Sequence, residues 1–232
     1  MPRDVGVVLV AAGRGARVGG SVPKQFRELG GTPMLLHALR PFLAHPDVAH
    51  TVIVLPRDLA AKPPGWLAAH LGGTLTVVPG GEERSDSVAQ GLVALPAALG
   101  IVLVHDAARP LVDRSLIDRV LAAARVGEGA VPALPLRDTL KEARPAASAE
   151  EHDLRVARTL PRDRLWGAQT PQGFPRAVLE EALARARREG LQVTDDAMAV
   201  ELLGVPVRLV AGSARNFKVT TEEDLHLAER LL

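Results

Sequence analysis

The sequence contains no cysteine, no tyrosine and few lysines among its 28 basic residues. Without cysteine, disulfides, thiolate metal sites and cysteine nucleophiles are all excluded. A formal net charge of +1 over 232 residues lacks the basic excess of nucleic-acid binding proteins, so we expect no nucleic-acid partner. The scarcity of lysine makes each one conspicuous. They are Lys24, Lys62, Lys141 and Lys218.

Long apolar runs are also missing. The longest, residues 5–12, falls far short of the ~18 to 20 residues of a membrane-spanning helix, so we expect no membrane partner. Asp4 flanks this run and Arg14 and Arg17 follow it, which argues against a secretory signal and favours a cytoplasmic protein. The length, with 47% hydrophobic and 24% charged residues, predicts one globular domain over residues 1–232.

Short β-branched apolar runs alternate with segments of helical period. The predicted strands are residues 5–10, 51–55, 75–78, 101–104, 130–134 and 207–210. The predicted helices are residues 34–43, 87–95, 116–124 and 177–187. This alternation predicts the α/β class, with a Rossmann-like three-layer α/β/α arrangement around a mostly parallel mixed sheet.

Residues 137–165 break the alternation because they are charged, contain two prolines and follow neither period. The segment is too long for an ordinary connection. We predict a protruding β-arm whose apolar residues Leu154, Val156 and Leu160 need a partner surface, as a homodimer would provide. A surface loop is the alternative.

A glycine-rich turn follows the first predicted strand, at the sheet edge where parallel α/β folds bind ligands. Val18 stands where a dinucleotide fingerprint has its third glycine, which excludes that motif. Ser21 and Val22 stand where a P-loop requires Lys and then Ser or Thr, which excludes a Walker ATPase.

The same loop carries Arg14, Arg17 and Lys24, cations that suit a polyphosphate. Asp106 follows another predicted buried strand, which places its carboxylate at the same edge. We expect it to reach phosphate oxygens there through Mg²⁺, a cation that needs only one or two protein carboxylates. We interpret the neighbouring His105 as structural.

Several strings, taken in order along the whole chain, resemble the nucleotidyltransferase family that activates sugar and polyol phosphates. Within it they are most similar to the 2-C-methyl-D-erythritol 4-phosphate cytidylyltransferases. The strings are AAGRGAR (11–17), PKQ (23–25), GTPML (31–35), GGEERSDSV (80–88), HDAARP (105–110), RDT (137–139), TPQ (170–172), TDD (194–196) and NFKVT (216–220).

The resemblance implies attack of a phosphate monoester on the α-phosphorus of CTP, giving a CDP-alcohol and pyrophosphate. The implied alcohol is 2-C-methyl-D-erythritol 4-phosphate, in non-mevalonate isoprenoid synthesis. A ribitol-5-phosphate cytidylyltransferase is the alternative, because it resembles this chain at almost every string. A nucleotide-sensing module without catalytic activity is a second alternative. We expect such a protein to have lost a catalytic cation, whereas Arg17, Lys24 and Lys218 are all present.

The resemblance also implies roles for individual residues. The catalytic set is Arg17, Lys24 and Lys218. The nucleotide-binding set is Ala11, Ala12, Gly13, Gly15, Gly80, Gly81, Glu82, Ser87 and Asp106, with Asp106 also the metal ligand. The set for the alcohol phosphate is Arg109, Thr139, Arg162, Thr170, Thr194 and Asp195.

Some of these assignments leave alternatives open. Glu82 is longer than the Asp of some relatives, and Ser87 is alternatively a helix N-cap. Arg109 either binds the incoming phosphomonoester or orients Asp106. Thr139 and Arg162 belong to the arm and are expected to act in the neighbouring subunit's site.

Overall fold

The protein is described by a computed structural model that covers residues 3–13, 23–144 and 154–232. Its strands are β1 (Val5–Val10), β2 (Glu28–Leu29), β3 (Thr32–Pro33), β4 (Val48–Leu55), β5 (Leu75–Pro79), β6 (Ile101–Asp106), β7 (Gly129–Pro135), β8 (Leu140–Ala143), β9 (Val156–Leu160), β10 (Trp166–Ala168), β11 (Gln172–Pro175) and β12 (Val207–Ala211). Its helices are α1 (Met34–Leu43), α2 (Arg57–Ala61), α3 (Gly65–Ala68), α4 (Arg84–Ala94), α5 (Arg114–Ala124), α6 (Arg176–Arg188), α7 (Asp196–Glu201) and α8 (Glu222–Arg230).

An eight-stranded mixed sheet forms the centre of the fold, with the order β10-β7-β11-β6-β1-β4-β5 and β12 paired to β7. The pairs β1–β4, β1–β6, β4–β5 and β12–β7 are parallel, whereas β11 and β10 pair antiparallel with their neighbours. All six predicted strands lie in this sheet. The mostly parallel mixed sheet is therefore confirmed, and the antiparallel strands β10 and β11 are additions that the sequence pattern did not predict.

Helices cover both faces of the sheet because successive residues of a strand point to opposite sides. Val8 of β1 packs in one core with Leu92 of α4 and Leu179 of α6. On the other face, Val7 packs with α5 residues and Leu9 packs with α1 residues. The three-layer arrangement is thus confirmed, and β1, buried between β4 and β6, fixes the turn that follows it.

The arm appears as a separate two-stranded antiparallel sheet in which Leu140 of β8 pairs with Leu160 of β9. Leu154 and Val156 are exposed, as the sequence analysis predicts, and Leu160 is half-buried. Residues 145–153 of the arm lie outside the described residues. Across the described ranges, no helix has the length and apolar character to cross a membrane.

Candidate active site

A cavity of about 280 Å³ opens at the carboxyl ends of β1 and β6. It is lined by the turn after β1, the turn after β5, the first residues of α4, and the segments that carry Lys24 and Lys218. The predicted site residues that line it are Ala11, Ala12, Gly13, Lys24, Gly81, Glu82, Ser87, Asp106 and Lys218. Two other predicted residues, Gly15 and Arg17, lie outside the described residues, as does Arg14.

The turn after β5 lies so close to the turn after β1 that it requires glycine. A Cβ on Gly80 would lie 2.5 Å from the Ala12 Cβ and 2.8 Å from the Ser87 Oγ. The Gly81 N–H donates to the Ser87 hydroxyl at 3.2 Å, and that hydroxyl donates to the Glu83 carbonyl at 3.2 Å. These neutral groups form one wall of the cavity.

Ser87 is not the N-cap of a helix, so that alternative is wrong. Helix α4 begins at Arg84, and Glu83 and Asp86 form a reciprocal capping box around its first turn. Ser87 therefore lies one turn inside the helix, buried against the glycines, where its hydroxyl fixes the turn. Glu82 is exposed at the rim of the same cavity.

Asp106 at the end of β6 is the charged centre of the cavity and is 9% exposed. The Arg84 Nε and Nη2 each lie 3.3 Å from its Oδ1, and the Lys218 Nζ donates to its Oδ2 at 2.7 Å. Burial alone would raise the pKa of this carboxyl. The charges of Arg84 and Lys218 outweigh burial and hold the Asp106 pKa well below its usual range, so it stays ionised at neutral pH.

Two segments that are far apart in the sequence meet beside Asp106. The Lys24 Nζ donates to the Val219 carbonyl at 2.5 Å, and the Val219 N–H donates to the Ala108 carbonyl at 2.8 Å. Arg27 forms a two-pronged salt bridge with Glu222 in the same region. Lys24 and Lys218 therefore converge on one cavity.

The chain matches a known enzyme family over nearly its whole length. The model of the family "IspD: 2-C-methyl-D-erythritol 4-phosphate cytidylyltransferase" matches residues 5–232. The chain belongs to this family. The predicted enzyme class, a cytidylyltransferase, is thereby confirmed.

Two relatives with the same name come from Streptomyces. The protein of Streptomyces coelicolor is 49% identical over 100% of this chain and 86% of its own length. That of Streptomyces avermitilis is 50% identical over 97% of this chain and 90% of its own length.

Solved structures of the family agree in fold. The 2-C-methyl-D-erythritol 4-phosphate cytidylyltransferase from Thermus thermophilus has a TM-score of 0.77 at 42% identity, over 97% of this chain and 96% of that chain. The Francisella tularensis structure of the same name has a TM-score of 0.82 at 28% identity, over 99% of this chain and 100% of that chain.

Thr170 supports Asp106 from behind, and its predicted contact with the alcohol stays a prediction. The Thr170 hydroxyl accepts from the Asp106 N–H at 3.1 Å and lies 2.9 Å from the His105 Nδ1. The His105 Nε2 lies 3.1 Å from the Arg109 carbonyl, which can only accept, so Nε2 carries the proton and Nδ1 accepts from Thr170. The hydroxyl is thus committed inside the protein, and His105 is structural as predicted.

The Arg109 side chain donates to two backbone carbonyls rather than to Asp106, and its contact with the incoming phosphomonoester stays a prediction. Its Nη1 donates to the Asn216 carbonyl at 2.8 Å, and its Nη2 donates to the Ala168 carbonyl at 3.3 Å. Burial lowers the pKa of this guanidinium, against the attraction of the nearby Asp106 charge. Arg109 therefore fixes the backbone of the segment that carries Lys218.

The remaining residues predicted for the alcohol lie in two places, at the start of α7 and at the arm. The Asp195 carboxylate caps α7, with Oδ1 accepting from the Met198 N–H at 2.9 Å, and its Oδ2 accepts from the Gln172 side chain at 2.7 Å. Thr194 is exposed beside it, whereas Thr139 and Arg162 are exposed at the arm. A role for these last two in a partner's site stays a prediction.

Two charged residues of the site were not assigned a role from the sequence. Arg84 lies in the GGEERSDSV string and Asp196 in TDD, but neither string shows that the two side chains meet. In the structure the Arg84 Nη1 donates to the Asp196 Oδ2 at 2.9 Å. The one signal in the sequence is the position of Arg84 three residues after the Gly80–Gly81 pair, at the start of a helix.

Asp106 also fits the predicted magnesium site in its chemistry. Its carboxylate is ionised, lies at the cavity and has lone pairs beyond those that Arg84 and Lys218 use. The described residues contain no cluster of three or more acidic or histidine ligands. This donor set suits Mg²⁺ shared with phosphate oxygens better than a cation held by protein alone.

The buried His105 predicts how stability depends on pH. Burial lowers its pKa to about 4, so the folded protein binds this proton less readily than the unfolded chain, whose pKa is about 6.5. We expect the unfolding free energy to fall by about 3 kcal/mol as the pH drops from 6.5 to 4, and urea unfolding across this range measures it.

In H105Q this part of the pH dependence should disappear, although the variant is less stable throughout. H70Q, which replaces an exposed histidine, is the matched control and should keep the wild-type slope. An unchanged slope in H105Q would contradict the assignment.

Proposed function

We propose that this protein transfers the cytidylyl group of CTP to 2-C-methyl-D-erythritol 4-phosphate, giving 4-diphosphocytidyl-2-C-methyl-D-erythritol and pyrophosphate. The observation that carries the proposal is the meeting of Lys24 and Lys218 from opposite ends of the chain at one cavity with a neutral wall. Membership of the cytidylyltransferase family, over residues 5–232, supports the reaction class.

The reaction needs positioning and charge neutralisation more than acid–base chemistry. A phosphate monoester has its second pKa near ~6, so at neutral pH it is largely a dianion and already a nucleophile. Its attack on the α-phosphorus brings two anions together, and fixed cations lower the barrier by offsetting their repulsion. A cavity that contains lysine and arginine side chains and neutral backbone matches this requirement.

The nucleotide occupies the cavity with its base against the neutral wall. The backbone of Ala11, Ala12 and Gly13 and the Gly81 turn offer hydrogen-bonding groups without charge, which suits cytosine. The triphosphate then meets Lys24 and Lys218, and we propose that Arg17 binds it as well. As the phosphates enter, the Lys218 ammonium has an anion to bind besides Asp106.

We further propose Mg²⁺ as the cofactor, held by Asp106 together with phosphate oxygens. Bound there, the ion would neutralise charge on the triphosphate and so make the α-phosphorus easier to attack. The contribution of the protein is an Asp106 that is already ionised and aimed at the cavity by its backbone bond to Thr170.

The arm is proposed to join two subunits, with Thr139 and Arg162 of each chain serving the active site of the other. The exposed Leu154, Val156 and Trp166 provide apolar surface that a second copy would cover.

We also propose that the enzyme acts in the cytoplasm, which cell fractionation with an antibody tests.

The choice of alcohol is tested by measuring pyrophosphate release with CTP and each polyol phosphate. We expect kcat/KM to favour 2-C-methyl-D-erythritol 4-phosphate over ribitol 5-phosphate by about tenfold to 200-fold, the range that small differences in substrate shape provide. Preference for ribitol 5-phosphate would establish the alternative enzyme, and no release with either would contradict the proposal.

Lys218 is tested by its replacement with a neutral side chain of similar length. We expect K218M to lower kcat by about 10²-fold, because a well-aimed cation at the reacting phosphate is lost. K62M removes an exposed lysine after α2 and should keep the wild-type kcat. Equal activity of the two variants would remove Lys218 from the mechanism.

The arm is tested by charged substitutions on its apolar surface. The double variant L154E/V156E should sediment as a monomer at micromolar concentration and lose roughly tenfold or more in turnover, because each site loses its partner's residues. V126E, at another exposed apolar position, is the control and should behave as wild type. A wild-type protein that is a fully active monomer would contradict the proposal.

A further inference from the structure

A buried carboxylate lies behind Arg84, on the side away from Asp106. Asp196 is the first residue of α7, and 1% of its side chain is exposed. Its Oδ2 accepts from the Arg84 Nη1 at 2.9 Å, while Nε and Nη2 of the same guanidinium each lie 3.3 Å from the Asp106 Oδ1. One planar group thus joins two carboxylates from distant parts of the chain.

Asp196 is itself fixed by its neighbours. The preceding Asp195 caps the helix, and Gln172 of β11 donates to Asp195 and accepts from the Ala197 N–H at 3.0 Å. Gln172 is buried, and its strand pairs with β6, the strand that ends in Asp106. The Asp196 carboxylate is therefore anchored to the same sheet as the residue it reaches through Arg84.

The anchoring of Asp196 controls the orientation of the Arg84 guanidinium. Because the group is flat and rigid, holding its Nη1 fixes the direction of the edge formed by Nε and Nη2. Burial would lower the pKa of Arg84, but its two carboxylate partners outweigh burial and keep it charged. An arginine with one buried partner instead of two would be drawn toward any polyanion in the cavity.

We propose that Asp196 is a positioning residue for the transfer: through Arg84 it holds Asp106 in place, and it keeps Arg84 from binding the nucleotide phosphates itself. The inference rests on the proposed function, because the role of Asp106 belongs to that function. Asp196 touches neither substrate in this proposal, yet it sets the charge balance of the cavity.

The test is D196N, which removes the charge and keeps the size of the side chain. We expect kcat to fall about tenfold or more, because a small displacement of a catalytic group is costly. CTP binding measured by calorimetry without metal should stay as tight as in wild type or become tighter, because the cavity gains one positive charge. Loss of folding would lower both quantities together.

A double-mutant cycle distinguishes positioning from general damage. If Asp196 acts through Arg84, adding D196N to R84A should change kcat by less than about twofold. R84K provides a second variant: its ammonium is a single point charge that cannot hold two carboxylates as a fork does, so kcat should fall as in D196N.

The matched control is D47N. Asp47 is also a buried carboxylate paired with an arginine, with its Oδ2 3.1 Å from the Arg125 Nη2, but it precedes β4 at the amino end of the sheet. D47N should lower stability and keep the wild-type kcat.

The inference is overturned if D196N keeps kcat within about twofold of wild type, if its effect multiplies fully with that of R84A, or if D47N lowers kcat equally. A wild-type protein without transfer activity would contradict the proposed function instead.

Discussion

The site depends on one carboxylate that stays ionised where water is largely excluded. Asp106 is 9% exposed, and a lone charge in that position would be costly. Arg84 and Lys218 offset the cost from two sides, and each comes from a different part of the chain. The same two contacts that stabilise the charge therefore assemble the cavity.

A shell of committed polar groups stands behind these contacts. The Asp106 N–H donates to the Thr170 hydroxyl, which donates to the His105 Nδ1, and the His105 Nε2 donates to the Arg109 carbonyl. All three bonds run in one direction because the last acceptor is a carbonyl, which cannot donate. Arg109 in turn holds the backbone at Asn216, two residues before Lys218. Both the anion and its cation are thus positioned by hydrogen-bonded neighbours from other segments of the chain.

Local sequence predicted what depends on local chemistry. The apolar β-branched runs identified every long parallel strand, since such strands are buried on both faces. Strands β10 and β11 were not predicted because they are short and pair antiparallel beside a proline-containing segment. The scarcity of lysine identified Lys24 and Lys218 as worth attention, and both reach the cavity.

Roles that depend on tertiary partners could not be predicted in this way. A threonine hydroxyl reads the same in a sequence whether it faces a substrate or a buried histidine, and Thr170 faces His105. Arg84 is one arginine among many until Asp196 is seen beside it. The contacts of Arg109 could not be predicted either, because its two carbonyl acceptors come from segments far along the chain.

The closure of the cavity by Lys24, near the beginning of the chain, and by Lys218, near its end, has a consequence for biosynthesis. On the ribosome, the sheet around β1 can form early, but the nucleotide pocket stays incomplete until the segment that carries Lys218 leaves the exit tunnel. A nascent chain that still lacks this segment would therefore not sequester CTP, because Lys218 and its bond to Asp106 would be missing.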